Sequence, residues 1–183
     1  MPAALVRWPE SFGTRFAILV DTEEEFDWRA PFSRNPGGTT HMRAMPTAHA
    51  RFVAHGAALT WLVDYPIATC SRSVEILRSL IADGRSAIGT QLHPWVNPPF
   101  EEEICIANSF AGNLPAALEE QKLAALTEVI AAAFGVPPLV YRAGRYGIGP
   151  AAWRPWPGLA IAPTRRCGQA MTIPPAADPI SPP

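Results

Sequence analysis

Cysteine is scarce. Cys70, Cys105 and Cys167 are the three present, widely spaced, odd in number and without a Cys-x-x-Cys pair. Neither a disulfide framework nor a cysteine-based zinc knuckle finds support, and a reducing, cytoplasmic setting is the expectation. Basic residues are not in excess: 15 Lys and Arg face 16 Asp and Glu, the net charge is -1, and no run of cations occurs. A nucleic-acid partner therefore has no electrostatic footprint here. The opening Met1-Pro2-Ala3-Ala4-Leu5-Val6-Arg7-Trp8-Pro9 lacks a continuous apolar core and a cleavage site, so no secretory signal is expected. No apolar stretch is long enough to span a bilayer, and no transmembrane segment is expected. Nothing in the sequence bears on oligomeric state.

What is present suits one folded domain. Hydrophobic residues make up 48% of the 183, and charged residues 17%, enough apolar content for a core. Arg15 to Asp21 is a short apolar run ending in a carboxylate. Ala57 to Asp64 repeats that design, and Ser86 to His93 and Val136 to Arg142 follow it more weakly. Continuous rather than alternating apolarity marks strands buried on both faces, as in parallel sheets. Helical spacing fills the intervals. One helix is expected from about Thr47 to Gly56, a second from Ser71 or Ser73 to Gly84, and the strongest from Pro115 to Phe134, closed by Gly135. Loops are expected over Phe32 to Thr40 and Trp95 to Asn113.

Strands alternating with helices predict an α/β fold with a parallel sheet. The four strands end in Asp21, Asp64, His93 and Arg142. In a β/α barrel such ends meet on one rim, where the active site lies. The pattern runs over residues 15–149. Beyond Gly149 the chain is crowded with proline and shows no period, so a disordered tail is expected over 150–183. Its Ala/Pro/Arg bias is what an out-of-frame reading of GC-rich DNA would produce, and we expect this end to be foreign to the barrel.

The residues with chemical potential gather at the strand ends. Val20-Asp21-Thr22-Glu23-Glu24-Glu25-Phe26-Asp27-Trp28 sets several carboxylates directly after a buried strand. Hard oxygen donors crowded together call for a cation or for shifted pKa values, and extended backbone turns Asp21 and Glu23 to one side. His93, before Pro94 and Trp95, offers an imidazole, the commonest metal ligand. His41, His49 and His55 read as surface residues.

These motifs, in this order, resemble the polysaccharide deacetylase family, also called NodB-homology carbohydrate esterases, and within it a WalW-type subgroup. Leu19-Val20-Asp21-Thr22-Glu23 resembles the first motif, usually Thr-Phe-Asp-Asp. The resemblance implies Asp21 as catalytic base and Glu23 as metal carboxylate, with Glu24 as a substitute. His93-Pro94 matches the end of His-Ser/Thr-x-x-His-Pro, which implies His93 as a metal ligand, while Gly89 stands in the place of the first histidine. Another donor would then be needed: Asp64, Glu24, His49 or a water. Tyr141-Arg142-Ala143-Gly144-Arg145-Tyr146-Gly147 resembles the Arg-x-Pro segment, with Arg142 orienting the base and keeping it ionised. The fourth and fifth motifs, including the late general-acid histidine, have no match.

The resemblance implies an incomplete polysaccharide-deacetylase-like (β/α) barrel and a metal-dependent hydrolase that removes N-acetyl groups from a saccharide. It implies a divalent metal ion as cofactor, zinc first, with cobalt or manganese as alternatives. The partner is an N-acetylated saccharide, and Asp64, Trp95 and Tyr146 are the expected substrate contacts. Impaired turnover is expected for the 183-residue chain. The alternative is a catalytically inactive, carbohydrate-binding remnant of the barrel.

Overall fold

The computed structural model describes residues 9–14 and 16–147 and, further on, the backbone of residues 162–163. Five parallel strands lie side by side in chain order: β1 (Ile18–Thr22), β2 (Leu59–Val63), β3 (Ala87–Leu92), β4 (Val140–Ala143) and β5 (Ala162–Pro163). Helices fill the connections: α1 (Met45–Ala54) between β1 and β2, α2 (Tyr65–Thr69) and α3 (Ser71–Ile81) between β2 and β3, and α4 (Ala116–Phe134) between β3 and β4. The architecture is α/β, a half-barrel of repeated β-α units, as the alternation of patterns predicts.

Burial explains the apolar runs. β2 and β3 are buried along nearly their whole length because both faces are covered. Trp61, Leu62, Val63, Ile88 and Leu92 enter the core from these strands, and α4 packs against β3 and α2. Leu118, Leu123, Leu126 and Ile130 recur on one face of α4 and are buried, each contributing about 1.5–3 kcal/mol. Gly135, at φ 78°, ends α4 in the left-handed conformation that a residue with a Cβ disfavours.

Three local differences from the sequence reading have simple causes. β4 starts at Val140, later than expected, because Pro137 and Pro138 cannot donate to a ladder. The short helix α2 was not expected. Asp64 caps it, its Oδ1 accepting from the Ile67 N–H at 2.9 Å, with a proline in the first turn. His49 is buried, not at the surface: its Nε2 meets Ser86 Oγ at 3.1 Å and its ring packs 5.8 Å from Trp61. Ser86 precedes β3, so His49 lies at the end of the sheet away from His93 and is no substitute ligand. The proline-rich segment supplies β5, whose backbone pairs with β4. The disorder expected for the remainder of 150–183 falls outside the described residues.

Candidate active site

The strand register sorts the rim into levels. In parallel neighbours, paired residues point to the same face, so Asp21, Leu62 and Gly89 share one level of the inner face. Gln91 pairs with Arg142 one level higher, and His93 follows Gln91 by two. Position 89 therefore lies below the rim. A Cβ there would meet the Leu62 side chain, not the site. The neighbour of His93 on the rim is Gln91.

A cavity of about 180 Å³ opens at these strand ends, lined by Asp21, Glu23, Trp28, Gln91, His93, Arg142, Ala143 and Arg145. Asp21, Glu23, His93 and Arg142, all expected at the site, come together here. Arg142 Nη1 donates to Asp21 Oδ1 at 2.5 Å. Burial raises the Asp21 pKa, and Glu23 adds to this against the lowering charges of Arg142 and His93. Arg142 acts in the direction expected of it, favouring the ionised carboxylate, while desolvation pulls the other way and outweighs it. A carboxylate raised in this way is a better proton acceptor.

His93 is 2% exposed and gripped from both sides. Its Nδ1 meets Glu24 Oε2 at 3.0 Å, with Asp64 Oδ2 at 3.9 Å, and its Nε2 faces Glu23 Oε2 at 3.3 Å. Burial opposes charge on the ring, yet the hydrogen bonds to Glu23 and Glu24 and the nearby carboxylate charges outweigh it and raise its pKa to about 10. Burial would raise Glu24, but hydrogen bonding with Asp64 and His93 takes it down to about 2. Asp64 is pushed well above the usual carboxylate range by burial and by the Glu24 charge. Gly144 leaves room for this ring, since a Cβ there would run into the His93 imidazole.

Glu24, Asp64 and His93 present atoms within 4.8 Å of one another, close enough to hold a cation. Each of the four carboxylate oxygens already has one hydrogen-bond partner. Glu24 Oε1 accepts from Trp95 Nε1 at 3.0 Å, and Asp64 Oδ2 accepts from the Glu24 N–H at 2.7 Å. The buried triad fixes the imidazole through Nδ1 and leaves Nε2 turned to the cavity. Carboxylate support of one ring nitrogen is the usual preparation of a histidine that binds metal through the other. Glu23 Oε2 and His93 Nε2, side by side on the cavity, fit a divalent cation.

Two of the expected substrate contacts lie beneath the cavity. Asp64 is fully buried as helix cap and support for Glu24, and Trp95, 3% exposed, stacks on His93 with ring centroids 4.4 Å apart. The Tyr146 side chain lies outside the described residues. Trp28, half-exposed, is the aromatic on the cavity wall, backed by Phe26 at 5.0 Å. Arg145 donates to Ser109 Oγ at 2.6 Å and lies over the Phe110 ring at 4.2 Å. Its φ of 53° is rare for a residue with a side chain and gathers at functional sites. Gln91 and Trp28 were not singled out from the sequence. The two-residue spacing from Gln91 to His93 is the signal that finds the first.

No family model matches the chain, and no curated protein matches it in sequence. In structure it is similar to the Xyl-CE4 domain of a multidomain xylanase from the hindgut metagenome of Trinervitermes trinervoides, at 12% identity and a TM-score of 0.49. The match covers 74% of this chain and 50% of that one, so the chain spans about half the length of its structural neighbour. No described helix is long and apolar enough to cross a membrane.

Proposed function

We propose that the chain is a metal-dependent hydrolase of the polysaccharide deacetylase kind, of WalW type by its motifs, acting on an N-acetylated saccharide. One observation carries the reading: an Asp21–Arg142 pair and a Glu23–His93 pair open into the same cavity at the strand ends. A bound divalent cation would polarise the acetamide carbonyl and the attacking water. Glu23 and His93 are the residues to hold it, and Glu24 keeps the imidazole oriented. Asp21 takes the proton of the attacking water, with Arg142 fixing the direction of its carboxylate. Trp28 offers an apolar face for the C–H side of a sugar ring. No second histidine lines the cavity among the described residues and none follows His93 in these 183 residues, so within this segment protonation of the departing amine lacks the expected acid. Turnover slower by roughly 10²- to 10⁴-fold than with a placed acid is the consequence.

Acetate release from an N-acetylated oligosaccharide, assayed with zinc, cobalt or manganese, tests the reading. Asp21→Asn should abolish the measurable rate while leaving metal affinity near that of the parent. Equal rates for the two proteins would remove Asp21 from the chemistry. A second reading, an inactive saccharide-binding barrel, is favoured by the ion pairs in which Glu23 and Glu24 balance the charge of His93. Metal analysis of gently purified protein separates them: saccharide binding without a bound divalent ion selects the second.

A further inference from the structure

Gln91 is 4% exposed, yet it lines the cavity between the two groups that matter most. Its Nε2 donates to Glu23 Oε2 at 2.7 Å and lies 3.5 Å from His93 Nε2. With the 3.3 Å from His93 Nε2 to Glu23 Oε2, three polar atoms form a small triangle. The other end of the same amide, Oε1, is buried without a hydrogen-bond partner among the described residues. Leaving a buried carbonyl unpaired costs free energy of desolvation that nothing here returns. An amide reverses by rotation about its last side-chain bond, and turned over it puts Oε1 where Nε2 now stands. With the amide turned over, and with the imidazole proton given up at Nε2 and kept on Nδ1 against Glu24, Oε1, His93 Nε2 and Glu23 Oε2 all present lone pairs, an arrangement of acceptors that a cation between them would stabilise.

We propose that Gln91 is a third cation donor, its carboxamide oxygen joining Glu23 Oε2 and His93 Nε2, and that this oxygen biases the centre toward hard divalent ions. The inference rests on the reading of the cavity as a cation-dependent site. A set of two oxygens and one nitrogen is harder than one with two imidazoles, and carbonyl and carboxylate ligands suit manganese and magnesium better than they suit zinc. Zinc, named first from the sequence, keeps less of its usual advantage over manganese with this donor set than with two imidazoles.

The test measures binding, not turnover. Mn²⁺ affinity is read from loss of the free-ion electron paramagnetic resonance signal, and Zn²⁺ affinity by competition with a chromogenic chelator. The 183-residue protein is compared with Gln91→Leu, Gln91→His and Glu23→Gln, each checked for its fold by circular dichroism. Gln91→Leu should weaken Mn²⁺ binding by roughly tenfold or more, the scale found even for groups one step removed from a metal. Gln91→His should shift the Zn²⁺-over-Mn²⁺ preference toward zinc by about tenfold. Should both Gln91 variants match the parent while Glu23→Gln loses the ion, Gln91 is no ligand and the cation site stands without it. Should the parent bind neither ion, the inference and the hydrolase reading fall together.

Discussion

Glu24 shows how much one carboxylate can carry. It ties the indole of Trp95 and the imidazole of His93 to the end of β1, while its own amide is held by Asp64. Glu24→Ala strips two buried donors of their acceptor, and a loss of about 3–5 kcal/mol in urea denaturation is expected. Glu119 is a different case. Buried in the first turns of α4, it has an oxygen without a partner, and burial raises its pKa from 4.5 to about 7. The folded state then keeps a proton that the unfolded chain has released. Between pH 4.5 and 7 stability should fall as pH rises, by about 3 kcal/mol in all, and stay low above 7. Glu119→Gln should remove that slope and be the more stable protein at pH 8, as denaturation across pH will report. The charged and imidazole residues of the rim were legible in sequence because each ends an apolar run. Gln91 was not, since an uncharged amide announces no chemistry, and Trp95 looked like a sugar contact because its burial depends on Glu24, distant in sequence.

Among the elements, the segment after β3 is gathered around one buried cation. Lys122 of α4 is fully buried, and its Nζ donates to the carbonyls of Pro94, Asn97 and Pro99 at 3.0, 2.6 and 2.6 Å and pairs with Glu102 Oε2 at 3.0 Å. Arg34 holds Glu102 from the other side at 2.6 Å. Lys122→Met keeps the stem but removes every one of these donors. It should destabilise the fold by about 3–5 kcal/mol and speed amide exchange in residues 94–102 beyond that in β2. Rates unchanged in that segment would show that packing alone orders it. The clamp could not be read beforehand, because a lysine in an amphipathic helix looks like a solvated charge. Strands β1 to β3 and helix α4 were legible, their periods being strong. Helix α2 was hidden by its length, although Asp64 followed by Pro66 is a helix-start signal.

For the molecule as a whole, the half-barrel reads directly from the alternation of runs, since consecutive parallel strands need crossovers of this kind. β1 is an outer strand of the described sheet, and Phe16 just before it is 90% exposed. An apolar residue at a sheet edge invites pairing with another chain. Phe16→Lys should lower light scattering on heating while moving the unfolding midpoint little, and undiminished scattering would shift attention to Val136 and Leu139, also exposed.

The winding of strands in chain order also divides the rim by sign. Asp21, Glu23, Glu24 and Asp64 all come from β1, β2 and the turns after them, whereas His93, Arg142 and Arg145 arrive with β3 and β4. A nascent chain that has only reached α3 holds four acids with no positive partner on the rim. Such crowding opposes closure. His93 relieves that crowding once β3 is in place, and a proteolytic cut in the α3–β3 turn would leave two pieces that each lack the charge of the other.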